Sequence, residues 1–158
     1  MTVNTGKVTG RRTLRFESFD DMMAEAERVT CQPMRSLGNW STGEILDHLA
    51  RSVQESFVGS APSASWFART LIAPFLKRSM LMKGLPAGFK LPPTMAAFQP
   101  RPQITANTAL DDLRAASARL MTESPAKPHA FFGRLTHDDW INLHLRHAEL
   151  HLGFLIPE

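Results

Sequence analysis

The chain closes on Thr136-His137-Asp138-Asp139-Trp140-Ile141-Asn142-Leu143-His144-Leu145-Arg146-His147-Ala148-Glu149-Leu150-His151-Leu152-Gly153-Phe154-Leu155, and this stretch decides the fold class. It opens on a capping-box pattern, Thr136 with Asp139 three residues on, which predicts a helix start. The helix is expected to run to about Leu155, before Pro157. At about 100° per residue, His144, His147 and His151 fall within roughly 60° of arc. Ile141, Leu145, Ala148, Leu152 and Leu155 flank that arc on one side, and Leu143, Leu150 and Phe154 on the other. Asn142, Arg146, Glu149 and Gly153 lie opposite and read as the solvent face. Three imidazoles therefore sit in the middle of the apolar face.

Working back from there, the same signals recur. Ser18-Phe19-Asp20-Asp21 predicts a helix to about Val29, stopped before Pro33. Ser41-Thr42-Gly43-Glu44 predicts a second, ending at Val58 with Gly59 as its stop. A further helix is expected from Thr108 to Met121, with Leu110, Leu113, Ala116 or Ser117, and Leu120 on one face. Between Gly59 and Ala106 stand seven of the eleven prolines. A helical piece around Ser65 to Met82, kinked near Pro74, is expected there, while Gly84 to Pro93 excludes helix. No alternating strand pattern stands out. The expectation is an all-α, four-helix bundle in one domain spanning residues 1–158. Residues 1–15 form an N-terminal strap, and 59–106 a long irregular crossover between the second and third core helices.

Composition narrows the function. With 43% apolar and 21% charged residues the chain is globular, and 158 residues make one domain of ordinary size. No apolar run is long enough to span a bilayer. A single cysteine, Cys31, excludes an internal disulfide and a multi-thiolate metal cage, and fits a reducing, cytoplasmic setting. The net charge is only +3, and Lys7, Arg11, Arg12 and Arg15 form the one basic cluster. That cluster reads as a solvated strap, so nucleic acid is not an expected partner.

The histidines carry the chemistry. Buried imidazoles need partners, because an unpaired buried polar group costs about 1–3 kcal/mol. His147 and His151, four apart, have the spacing by which two turns of one helix chelate a metal. Core histidines bonded to backbone or side chains are the other reading. Glu149 stands two residues after His147, so the metalloprotease motif is absent, and it reads as an exposed helix carboxylate. His48, on the second helix, is the best further ligand. Its wheel puts it just off the apolar arc, at a groove edge, with Glu44, Ser52 and Glu55 on the same flank. His129 and His137 read as incidental, and Cys31 as a small residue after the first helix.

His48 on a second helix, with His147 and His151 on a final one, resembles the DinB/YfiT-like superfamily of metal-carrying four-helix bundles. The closer likeness is to the DUF1569 family. It lies in Gly10-Arg11-Arg12-Thr13-Leu14-Arg15-Phe16, Leu37-Gly38-Asn39-Trp40-Ser41, Asp47-His48-Leu49-Ala50-Arg51-Ser52, Leu85-Pro86-Ala87-Gly88-Phe89-Lys90-Leu91-Pro92, Phe132-Gly133-Arg134-Leu135-Thr136 through Trp140, and Arg146-His147-Ala148-Glu149-Leu150-His151-Leu152. The chain departs from that pattern at Leu150 and Gly153-Phe154, where relatives carry a second His and a Gln. The resemblance implies His48, His147 and His151 as ligands of a divalent transition metal, Zn²⁺ or Ni²⁺. His144 is an addition to that pattern and reads as a donor behind the ligands or an alternative ligand, while the catalytic base is unassigned, with Ser52 and Glu55 the nearest polar candidates in sequence. The resemblance further implies a small-molecule substrate, a thiol-dependent S-transferase or hydrolase activity using a low-molecular-weight thiol, and a homodimer. A non-catalytic, metal-stapled binding or stress-related protein is the alternative.

Overall fold

The structure is a computed structural model that describes residues 2–59, 73–88 and 93–158. Among these the chain is mostly helical: α1 (Phe19–Cys31), α2 (Thr42–Val58), α3 (Ala73–Lys83), α4 (Ala106–Thr122) and α5 (His137–Leu152). Short 3-10 turns occupy Thr5–Lys7 and Pro93–Phe98. All three capping boxes form, with Ser18 and Asp21, Ser41 and Glu44, and Thr136 and Asp139 exchanging side-chain and backbone bonds. Each satisfies amides that the helix start would otherwise leave unpaired. α4 starts at Ala106, ahead of the expected Thr108, because the Thr105 hydroxyl caps it by accepting the Thr108 amide. Pro74 falls in the first turn of α3, where its missing N–H breaks no helical bond. The expected helical piece before Ala73 lies outside the described residues, as do residues 89–92 of the non-helical run.

Two expectations fail at the C-terminus. α5 ends at Leu152, short of Leu155, and Leu155–Pro157 forms a strand, β2, antiparallel to β1 (Met34–Ser36). The register is Met34↔Pro157, Arg35↔Ile156, Ser36↔Leu155. Three-residue strands are too short to show alternation, so no strand pattern stood out. The helix stops where the N-terminal strap crosses it. The Arg12 amide donates to the Gly153 carbonyl at 2.8 Å, and a Cβ on Gly153 would lie 2.8 Å from the Arg12 carbonyl oxygen.

That crossing also overturns the expected solvent face of α5. Arg146 is 2% exposed. It donates to the Phe16 carbonyl at 2.5 Å and pairs with Glu149 at 2.8 Å, while Glu149 accepts the Phe16 amide at 2.7 Å. Glu149 is thus a largely enclosed partner of the strap, not an exposed carboxylate. Only Asn142 of that face is exposed. Arg12 completes the clamp, bonding the Leu152 and Leu155 carbonyls and pairing with Glu25 on α1 at 2.6 Å.

The core joins Met22, Ala26 and Val29 of α1, Leu46, Leu49 and Val53 of α2, Leu113 and Leu120 of α4, and Leu145, Ala148 and Leu152 of α5. α2 and α4 pack most intimately. Gly43 allows it, since a Cβ there would stand 2.2 Å from the Ile104 carbonyl oxygen. Among the described residues no helix is long and apolar enough to cross a membrane.

Candidate metal centre

α2 and α5 bring three imidazoles together. One ring nitrogen each from His48, His147 and His151 lies within 4.8 Å of the others. His48 Nε2 stands 3.1 Å from His147 Nε2. The ring centroids of His48 and His151, and of His147 and His151, are 4.6 Å apart. His48 is 3% exposed, more enclosed than its wheel suggested, because the 3-10 turn Pro93–Phe98 covers that flank of α2. The Trp40 indole, just ahead of the α2 cap, walls the cluster, with its centroid 4.7 Å from His48 and stacked 5.6 Å from His151.

Three side chains within about one turn of α2 hold the covering segment. Asp47, fully buried, accepts the Arg101 amide at 2.7 Å and its guanidinium at 2.9 and 2.5 Å. Arg101 also pairs with Asp112 on α4. Arg51 donates to the Ala97 carbonyl at 2.8 Å. Between them, His48 Nδ1 lies 2.6 Å from the Phe98 carbonyl oxygen.

That last bond fixes a tautomer. A carbonyl only accepts, so Nδ1 of His48 carries the proton and Nε2 presents a bare lone pair. A metal-ligating histidine is usually oriented in this way, by giving its other N–H to a carbonyl or carboxylate. The spacing suits the same use. Bonds of 2.0–2.1 Å at angles between octahedral and tetrahedral set two ligand nitrogens about 2.9–3.4 Å apart, and 3.1 Å falls inside that range.

The electrostatics agree. Burial pushes His147 and His151 well below the ordinary imidazole pKa, and neighbouring histidines push further. His48 is lowered chiefly by burial and by Arg51, against the Phe98 carbonyl and Asp47. All three rings are therefore neutral at neutral pH, the form that binds cations.

The remaining candidates lie elsewhere. His144 is buried, and its Nε2 is 2.9 Å from the Ser56 hydroxyl, with the ring stacked on Trp140. The Ser52 hydroxyl bonds the His48 carbonyl one turn back, and Glu55 makes no side-chain bond to the three histidines. His129 and His137, read as incidental, have structural partners. His129 Nδ1 accepts the Phe131 and Phe132 amides at 3.1 and 3.2 Å, and its ring stacks on Phe132. His137 Nε2 donates to the Leu120 carbonyl at 2.6 Å, tying the start of α5 to the end of α4. Cys31 is exposed at the end of α1. Sequence reasoning missed Asp47, Arg101 and the Phe98 carbonyl. An acid inside a helix otherwise rich in apolar residues was a usable signal for Asp47, whereas no residue identity announces a backbone carbonyl. A separate open cleft between the strap, α3 and α5, lined by Arg15, Lys77, Arg78, Leu81, Met82, Asp139 and Asn142, holds none of the three histidines.

The chain belongs to the family described as "Protein of unknown function (DUF1569)", which it matches over residues 8–158. No match was found among curated proteins or among solved structures.

Proposed function

We propose that this DUF1569 chain is a divalent-metal-dependent enzyme acting on a small molecule, with His48, His147 and His151 as ligands inside a DinB/YfiT-like four-helix bundle of α1, α2, α4 and α5. One observation carries the reading. The Phe98 carbonyl accepts a hydrogen bond from His48 Nδ1–H and so leaves Nε2 bare, 3.1 Å from Nε2 of a second neutral imidazole. Two lone pairs held that close repel unless a proton or a cation lies between them, and a third ring stands within 4.8 Å. The donor set of imidazoles without thiolate suits Zn²⁺ or Ni²⁺. Three protein ligands leave coordination open, and a bound divalent ion supplies Lewis acidity and a lowered pKa to whatever thiol or water reaches it. The protein's part is to fix the rings, keep them neutral, and border the centre with Trp40. The superfamily likeness favours S-transfer from a low-molecular-weight thiol, or hydrolysis, by a cytoplasmic homodimer.

A second reading makes the ion a staple, since the three rings join α2 to α5. Metal analysis of protein made without an affinity tag comes first. About one equivalent of a transition metal per chain is expected. Roughly a tenth of an equivalent or less, unchanged after adding Zn²⁺, rejects both readings. His48→Ala then separates them. An open catalytic centre loses thiol-transfer turnover with a modest fall in Tm, and a staple loses stability with no turnover in either protein.

A further inference from the structure

The charges around the three histidines point to the class of ligand they receive. Imidazoles are neutral ligands, so a divalent ion among them keeps its full double charge. Among the described residues no free carboxylate offsets it. Asp47 is the one acid whose charge reaches the cluster among the described residues, and Arg101 occupies both its oxygens. Glu149, between His147 and His151 in sequence, is turned to the strap and bonded to Phe16 and Arg146.

The other charges acting on the rings are positive. Arg51 acts on His48 and is tied to the Ala97 carbonyl. Arg11 acts on His151 and is exposed. It makes no hydrogen bond or ion pair among the described residues. Its guanidinium lies over the Phe154 ring, 4.9 Å from the centroid, three residues beyond His151. Phe154 is itself buried against Gly38, so the ring is a fixed shelf. A guanidinium laid on an aromatic face keeps its N–H edge free for a planar bidentate partner. Trp40 stacks on the same His151 ring, giving an apolar surface beside the three histidines.

We propose that the centre formed by His48, His147 and His151 takes a small molecule bearing a carboxylate, with the carboxylate held by Arg11 and the apolar part lying along the Trp40 indole. This names the substrate class of the metal site and rests on that assignment. An unpaired cation next to an uncompensated centre favours an anion and gives a neutral ligand nothing.

The test uses full-length, tag-free protein loaded with Co²⁺, whose thiolate absorption band reports ligand binding directly. Co²⁺ stoichiometry is measured first on wild type, Arg11→Gln and Arg11→Lys. Failure to load overturns the metal reading itself and is seen before any ligand is added. Loaded proteins are then titrated with 3-mercaptopropionate and with 2-mercaptoethanol. Wild type is expected to prefer the carboxylate-bearing thiol by roughly tenfold, the size of one good charge-assisted contact. Arg11→Gln should bring that ratio close to one with Co²⁺ loading unchanged, and Arg11→Lys should keep part of it. A ratio unchanged in Arg11→Gln, equal binding of both thiols to wild type, or no band with either thiol overturns the proposal.

Discussion

Asp47→Asn tests how the candidate centre is held without touching a ligand. Asp47 is 0% exposed, and its two oxygens take three bonds from Arg101. Asparagine keeps the shape but leaves one acceptor and turns an NH₂ group towards Arg101's donors. Each bond to a charged group is worth about 1.5–3 kcal/mol. The Arg101 side chain is 49% exposed and keeps Asp112, so water recovers part of the loss. The net cost is then about 2–3 kcal/mol. For a domain of this size Tm shifts by roughly 2–4 °C per kcal/mol, which makes a fall of about 4–12 °C in metal-free protein.

The second readout is Zn²⁺ affinity by competition with a chromophoric chelator. Arg101 anchors the segment that presents the Phe98 carbonyl to His48, and loss of such an orienting partner weakens metal binding by roughly 10–100-fold. Asp112→Asn, on the exposed side of Arg101, should move both quantities little. A Tm loss with Zn²⁺ affinity within twofold of wild type would refute the positioning argument. An unchanged Tm would refute the buried pair.

Three further outcomes follow from the packing. Gly43→Ala should lower Tm, costing about 1–3 kcal/mol or more, because its Cβ meets the Ile104 carbonyl oxygen at 2.2 Å; an unchanged thermal melt would contradict the α2–α4 approach. Burial holds the folded pKa of His129 to about 4 and of His144 to about 3, so the unfolded chain binds protons near the ordinary pKa of 6.5 while the folded chain does not. Stability in chelator is therefore full above pH 6.5 and lost as pH falls through 4, by about 3 kcal/mol from His129 alone; urea midpoints flat from pH 7 to pH 5 would contradict neutral buried rings. Arg146→Met should cost about 3–5 kcal/mol by stranding the largely enclosed Glu149, and Glu149→Gln less, since an amide oxygen still accepts Phe16 N–H; denaturant melts compare the two.

The legible parts of this fold were those set by neighbours in sequence. Ser18, Ser41 and Thr136 each declared a helix start because both halves of a capping box lie within four residues. The histidine arc of α5 was legible for the same reason, since helical periodicity fixes which residues share a face. What needed a distant segment was not. His48 read as a groove-edge residue until residues 93–98 were seen to cover it. The oxygen that orients its ring belongs to the backbone, which has no residue type. The strands at 34–36 and 155–157 are three residues each and leave no pattern.

The misread face of α5 bears on how the candidate centre is built. A helical wheel sorts polar from apolar, and Arg146, Glu149 and Gly153 fell on the polar side. That side is polar because it binds backbone: the Phe16 amide and carbonyl go to Glu149 and Arg146, and Gly153 makes room for Arg12. With α2 against one face and the strap against the other, α5 is fixed on both sides. His147 and His151 therefore stand on a helix with little freedom to rotate or slide, which a metal-ligand pair needs in order to keep its spacing. The strap that immobilises them also lays Arg11 over the Phe154 ring, where its charge acts on His151. Residues 12–16 thus lock α5 through backbone and side-chain bonds, and a strap read from sequence as solvated basic residues becomes part of the packing that holds the candidate centre.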